Sequence, residues 1–388
     1  MTQFDFDSPT PEWLRARGTG RWKDVDEDVI PLWVAEMDFP VAPPVQAAIQ
    51  DVVTKQAYGY PRNNGLKEAW AAWAGRHEGL DVDPDKVALL PDVLTGVRLA
   101  IRTYSPEGSP VVLPTPAYMP FWEVPGLEHR EIVSVPMVTG PDGLATLDLD
   151  GIEAAFAQGA RSMILSQPYN PLGRVFTADE LRPLAELAEK YDAFIISDEI
   201  HGPLVPEGHN VAFASVCELA AKRSVNVSSA SKSWNLAGLK TAFITFFTDE
   251  TRRAWVKGVH ELESEGATTV GLAANLAAFT SGQPWLDAAN AYIRANAVWL
   301  HDALASRLPE VHFTVPQGTY LGWLDLRDAG LPDHAGSWLL EHARIRLNDG
   351  PTFGPGGAGH ARINLATPRP LLIEATGRMV EAITHRSR

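Results

Sequence analysis

Short apolar runs alternate with helical patterns through the middle of this chain, and that alternation constrains its fold more than any other feature. SPVVLPTP (109–116), SMILSQ (162–167), FIISDE (194–199), SVNVSS (224–229) and TAFITFF (241–247) read as strands. They are apolar on both faces, as strands covered from both sides are, and helical stretches separate them. Residues 66–79, 96–105 and 177–193 have helical character. The last is the clearest: Thr177 stands three positions before Glu180, a capping-box spacing ahead of a periodic apolar face. The expectation is an α/β fold around a largely parallel sheet with helices on both sides.

Near residue 284 the texture changes. A long helix leads into VHFTVPQGTYLGWLDL, followed by a helix at AGSWLLEHARI, a strand at ARINLATP and a final helix at LLIEATGRMVEAITHR. These read as a smaller α+β lobe. The first 45 residues show little periodicity and many aromatics, and are expected to strap onto that lobe. The expected division is a large domain over 46–285, with 1–45 and 286–388 forming the small one. With 388 residues, 45% of them hydrophobic, the chain can bury more than one core.

The formal net charge of −15 disfavours nucleic acids and anionic membranes as partners, yet permits a small positive pocket. One cysteine, Cys217, excludes an intrachain disulfide framework and a thiolate metal cluster; its apolar surroundings predict a buried core position. No metal site is expected. No apolar run reaches membrane-spanning length, and the N-terminus has no leader-like pattern, so the expected location is cytoplasmic. Most of the 12 tryptophans are expected to pack in cores and interfaces.

In an open α/β sheet, ligands bind beyond the carboxyl ends of the strands. Three polar clusters stand at such ends: SQPYNPLGR, SDEIHGPL and SSASKSWN. Singly, each has an ordinary explanation. Asn170 and Pro171 suit a turn, Asp198 suits a cap, and Lys232 suits the surface. Together they bring an amide, a carboxylate and an amine to one crevice. That set matches the needs of pyridoxal phosphate: an amine for its aldehyde, an anion for its ring nitrogen and a donor for its phenolic oxygen.

Across nearly its whole length the chain resembles fold-type I pyridoxal-phosphate enzymes of the aminotransferase class I/II superfamily. Within them it is most similar to the cystathionine beta-lyase (C–S lyase) branch typified by MalY and PatB. PLWVAEMDFP, AYGYP, PTPAYMPFWE, QPYNPLGRVFT, SDEIHGPL, SASKSWNLAG, GTYLGWLD and ARINLATPR carry the resemblance in the family's order. WVAEMDF and SDEIH point to the lyase branch.

The resemblance implies a seven-stranded, mostly parallel sheet in the large domain. It makes Lys232 the lysine that joins the cofactor and the catalytic base, Asp198 the partner of the ring nitrogen and Asn170 the donor to the phenolic oxygen. Tyr118 would stack on the ring. Val93 and Leu94 would offer backbone N–H groups to the phosphate, with Ser229 and Ser231 as candidate hydroxyls. Tyr60 would reach the phosphate of the neighbouring subunit in a homodimer. Arg362 would clamp the substrate carboxylate, with Trp33 and Glu36 at the entrance.

Two positions depart from the general aminotransferase pattern: His201 stands where a tyrosine is usual, and Lys240 where an arginine is. Lys240 either neutralises phosphate or turns away. Asp92, beside the phosphate loop, should face away or cap the following helix. The implied reaction is beta-elimination on L-cystathionine or related cysteine S-conjugates, giving a thiol, pyruvate and ammonia. Transamination between an amino acid and a 2-oxo acid shares the early steps and is the alternative; a binding role with a vestigial site is the non-enzymatic one.

Overall fold

The computed structural model describes residues 4–140 and 142–386. Its centre is a seven-stranded sheet ordered Val87–Leu90, Ala242–Phe246, Ser224–Ser228, Phe194–Asp198, Ser162–Ser166, Val111–Thr115, Ile132–Pro136. Ala242–Phe246 is antiparallel to both of its neighbours, and every other pairing is parallel. All five residues are buried in Val111–Thr115, Ser162–Ser166, Phe194–Asp198, Ser224–Ser228 and Ala242–Phe246. Most of these are short, mainly apolar runs in the sequence; Ser224–Ser228, SVNVS, instead buries polar Ser224, Asn226 and Ser228. The edge strands Val87–Leu90 and Ile132–Pro136 are only partly covered, so they lack that signature.

Helices close both faces. Ala178–Lys190 starts at a reciprocal capping box: Thr177 Oγ1 accepts from the Glu180 N–H, and the Glu180 carboxylate accepts from the Thr177 N–H. Leu181, Leu184, Ala185 and Ala188 are spaced to fall on one helical stripe, and all four are buried. Val93–Tyr104 begins three residues earlier than its apolar pattern suggests, because Asp92 caps it, accepting from the Thr95 N–H at 2.8 Å. Gly96 lets that first turn lie close on the sheet. A Cβ there would stand 2.6 Å from Val227 Cγ1 and 2.7 Å from Leu90 Cδ1. The helix N-terminus is therefore set at the carboxyl end of Ser224–Ser228.

A second sheet is four-stranded and antiparallel, ordered His312–Phe313, Leu321–Asp325, His360–Asn364, Asn348–Asp349. Helices Gln283–Arg307, Ala335–Ala343 and Arg369–Arg386 accompany it. The N-terminal segment packs with these elements: Ile30–Pro31 pairs in parallel with Ile345–Arg346, and the Asp38 N–H donates to the Ala366 carbonyl. A buried ion pair, Arg21 to Asp38 at 3.0 Å, fixes the segment from within. Trp22 Nε1 and Thr367 Oγ1 also donate to Asp38, so its charge is well compensated.

Trp70, Trp73, Trp234 and Trp285 are fully buried, as packing residues are. Cys217 departs from expectation. It is half-buried and precedes the short helix Glu218–Lys222, because the turn Phe213–Ser215 breaks what reads as one helix. Among the described residues no helix is long and apolar enough to cross a membrane.

Candidate active site

Four strand ends and one helix start meet around a cavity of about 240 Å³. Ser166 and Asp198 end two strands, Ser229 and Ser231 follow a third, and Ala242 opens a fourth. Val93 and Leu94 supply the helix start, where unpaired N–H groups and the helix dipole favour an anion. Tyr118, Asn170, His201, Lys232 and Lys240 complete the polar lining. The parallel topology produces this convergence, since it places successive strand ends on one edge of the sheet.

Lys232 is half-buried, and its amine donates to the Ala35 carbonyl at 3.0 Å. The Tyr320 hydroxyl donates to the same carbonyl at 2.9 Å. Burial, reinforced by Arg362, lowers the Lys232 amine to about 8, although Glu36 and Asp198 pull the other way. Burial lifts the Asp198 carboxyl to about 7 against a hydrogen bond from the Ile200 N–H and the charge of Lys232. His201 lies between these cations; burial, then Lys232 and Arg362, hold it well below the usual imidazole range, so it is neutral. Its Nδ1 is buried without a partner. Tyr118 lines the cavity, standing edge-on to Phe121 at 5.4 Å.

Arg362 lies behind Asn170 and does not itself line the cavity. Its Nη1 donates to Asn170 Oδ1 at 3.0 Å, and its Nη2 donates to the Trp33 carbonyl at 3.1 Å and to Asn348 Oδ1 at 2.8 Å. With Oδ1 taken, the Asn170 amide keeps its Nδ2 as a free donor. The guanidinium is buried, lacks a carboxylate partner among the described residues and has an unpartnered Nε. Burial lowers it to about 10. A buried cation and a buried carboxylate that do not neutralise each other suit a ligand bringing both charges.

The remaining residues divide. Ser229 Oγ donates to the Thr241 carbonyl at 2.6 Å and accepts from the Ser231 N–H, so this hydroxyl is engaged in shaping the loop. Lys240 is half-exposed and pairs with Asp92 at 3.1 Å; the same Asp92 caps the helix. Trp33 and Glu36 flank Ala35 but do not line the cavity, and the Trp33 ring carries the Arg346 guanidinium at 3.9 Å. Tyr60 is fully exposed on a separate cleft with Arg62, Asn63, Lys67 and Arg252; within one chain it does not approach Lys232. Trp234, an aromatic near Lys232 in sequence, is turned into the core, its Nε1 donating to the Gly282 carbonyl. The sequence reading passed over Ser166, the Ala35 carbonyl, Tyr320 and Asn348. Tyr320 at least sits in the motif GTYLGWLD; a main-chain carbonyl leaves no trace in residue identity.

These groups fit pyridoxal phosphate. A half-buried amine of lowered pKa shares one cavity with a buried carboxylate, an amide donor held by the guanidinium lines the same cavity, and a helix start opens on it.

The chain matches the family model for aminotransferase class I and II over residues 27–376. It is 37% identical to a cystathionine beta-lyase from Corynebacterium glutamicum, covering 97% of this chain and 99% of that protein. It is 32% identical to protein MalY of Escherichia coli over 92% of each. A crystal structure of a putative pyridoxal-phosphate-dependent beta-cystathionase from Corynebacterium diphtheriae superposes with a TM-score of 0.93 at 38% identity, covering 98% of this chain and 99% of that one.

Proposed function

The chain belongs to the aminotransferase class I and II family, and we propose that it is a pyridoxal-phosphate-dependent carbon–sulfur beta-lyase. Its substrate is L-cystathionine or a related cysteine S-conjugate, and its products are a thiol, pyruvate and ammonia. The observation that carries the reading is the half-buried Lys232 amine in one cavity with the buried Asp198, beside an uncompensated Arg362. Relatives named for cystathionine cleavage support the lyase over the aminotransferase.

When bound, pyridoxal phosphate supplies an aldehyde for the substrate amine and an electron-poor ring that takes up charge from the α carbon. Asp198, whose burial otherwise favours its neutral form, would gain a cationic partner in the ring nitrogen and keep that nitrogen protonated. Asn170, held by Arg362, would offer its Nδ2 to the phenolic oxygen. Tyr118 would pack against the ring. The N–H groups of Val93 and Leu94, with Ser231 and Lys240 nearby, would receive the phosphate. Ser229 holds the loop in shape, because its hydroxyl is already engaged.

Arg362, buried behind Asn170 and without a carboxylate partner among the described residues, is the group we assign to the substrate carboxylate. Lys232 removes the α proton. An amine near 8 has enough neutral form at mildly alkaline pH to act as a base and enough basicity to hold the proton. His201, neutral, adds no charge to repel that proton. Departure of the thiolate from the β carbon then yields the thiol, and hydrolysis of the three-carbon remainder gives pyruvate and ammonia.

The protein works as a homodimer in which Tyr60 of each chain reaches the neighbouring phosphate; its full exposure in a separate cleft supports this. We divide the chain into a large domain over 46–285 and a small one over 1–45 and 286–388, and place it in the cytoplasm, where its one cysteine stays reduced. The deciding experiment measures pyruvate from L-cystathionine without added 2-oxo acid. Stoichiometric pyruvate and homocysteine are expected. Turnover that requires a 2-oxo acid would make the protein an aminotransferase instead.

A further inference from the structure

Arg346 is a cation without an anion among the described residues. Two positions earlier, Arg344 is paired with both Asp26 and Asp28 at 2.7 Å. Arg346 forms no ion pair among the described residues, although the chain carries 48 Asp and Glu against 33 Lys and Arg. It is held instead by the face of Trp33, with its guanidinium carbon 3.9 Å from the ring centroid. Stacking on an aromatic face leaves the N–H edge of a guanidinium free to meet a carboxylate in its own plane.

Its place relative to the carboxylate clamp follows from the backbone. Ile345 and Leu347 are buried, while Arg346 and Asn348 between and beyond them are only partly so. The alternation puts Arg346 and Asn348 on the same face of the segment, about 7 Å apart along it. Asn348 is the cross-strand neighbour of Arg362 and accepts a hydrogen bond from it at 2.8 Å. A second connection runs through Trp33: its carbonyl accepts from Arg362 at 3.1 Å, while its ring carries Arg346. Arg346 thus stands one strand step from Arg362, tied to it through two neighbours, and neither it nor Trp33 lines the cavity that holds Lys232.

We infer that Arg346, stacked on Trp33, is a specificity residue that receives the carboxylate on the far arm of the thioether substrate. This rests on the lyase reading above and narrows it. The preferred substrates are L-cysteine thioethers whose second arm ends in a carboxylate, as in L-cystathionine, and neutral S-alkyl cysteines are handled without help from Arg346. The arrangement also explains an unpaired guanidinium on an acidic protein, because the partner arrives with the substrate.

The test compares wild type, Arg346→Met and Arg346→Lys on L-cystathionine and on S-ethyl-L-cysteine. Arg346→Met should lower kcat/KM for L-cystathionine by about tenfold or more, mainly through KM, as loss of a charged hydrogen bond does. S-ethyl-L-cysteine should change by less than about twofold, and Arg346→Lys should recover part of the loss. An equal fall on both substrates would reduce Arg346 to a prop for Trp33, and an unchanged kcat/KM for L-cystathionine would remove it from the site; either result overturns the inference. A second arm measures equilibrium binding of both thioethers to cofactor-loaded Lys232→Ala, with and without Arg346→Met. If wild type releases pyruvate from neither compound, the lyase reading falls. The binding arm still decides Arg346: weakened binding of L-cystathionine alone supports it, and equal or no weakening refutes it.

Discussion

Replacing Glu78 by glutamine should stabilise the protein, and by an amount that grows with pH. Glu78 ends the helix Leu66–His77 and is buried, with neither carboxyl oxygen hydrogen-bonded among the described residues. Glu199, next to Asp198, is buried close by. Its Oε1 accepts from Ser197 Oγ at 2.7 Å and the Phe213 N–H at 3.0 Å, and its Oε2 accepts from Asn210 Nδ2 at 3.1 Å. Burial, then the charge of Glu199, pushes Glu78 well above the ordinary 4.5, and burial lifts Glu199 to about 7. Both folded values exceed the unfolded one. Their contribution to stability is therefore intact below 4.5 and is lost as pH rises toward the folded values, because the unfolded chain releases protons that the folded chain must keep. Each retained proton costs about 1.4 kcal/mol per pH unit in that window. From about pH 5 to about pH 6.5 Glu199, lifted to about 7, should lower wild-type stability by about 2 kcal/mol and Glu78 should deepen that fall, so Glu78→Gln should show the shallower one. Unfolding free energies from denaturant titrations of both proteins at the two pH values give the comparison, and ionisations elsewhere cancel in the difference. A stability difference independent of pH, or a variant that loses ground as pH rises, would refute a protonated Glu78.

Other outcomes bear on the site. Lys232→Ala should lose the near-ultraviolet or visible band of the lysine-bound cofactor and slow pyruvate release by about 10²–10⁴-fold, read by absorbance and a coupled pyruvate assay. Arg362→Lys should lower kcat/KM for L-cystathionine by about 10–100-fold, since an ammonium cannot hold Asn170 and the Trp33 carbonyl while also gripping a carboxylate. Asp92→Ala should cost about 1 kcal/mol in a denaturant titration through loss of the helix cap. Tyr60→Phe should leave stability within about 0.5 kcal/mol, because the side chain is fully exposed in the single chain, yet weaken cofactor affinity measured by fluorescence titration of the dimer.

The sequence by itself determined the parts governed by local rules. Five strands buried on both faces announce themselves as short, mainly apolar runs between helical patterns, and the capping box at Thr177 and Glu180 marks the start of its helix to within a residue, while its end falls three residues before the expected 193. Lys232, Asp198 and Asn170 could be singled out because residues at the carboxyl ends of parallel strands must share one edge of the sheet. Tertiary structure decided the rest. The edge strands Val87–Leu90 and Ile132–Pro136 are half-covered and carry no continuous apolar signal, and Cys217 leaves the core because a turn interrupts its helix. The partners of Arg362 come from Trp33, Asn170 and Asn348, segments far apart in the chain, and Lys232 donates to a carbonyl at Ala35. Periodicity and capping depend on neighbours within one or two turns, so a linear reading finds them. Which buried charge meets which partner depends on how the two sheets, their helices and the N-terminal segment pack on one another, and no local pattern encodes that distance.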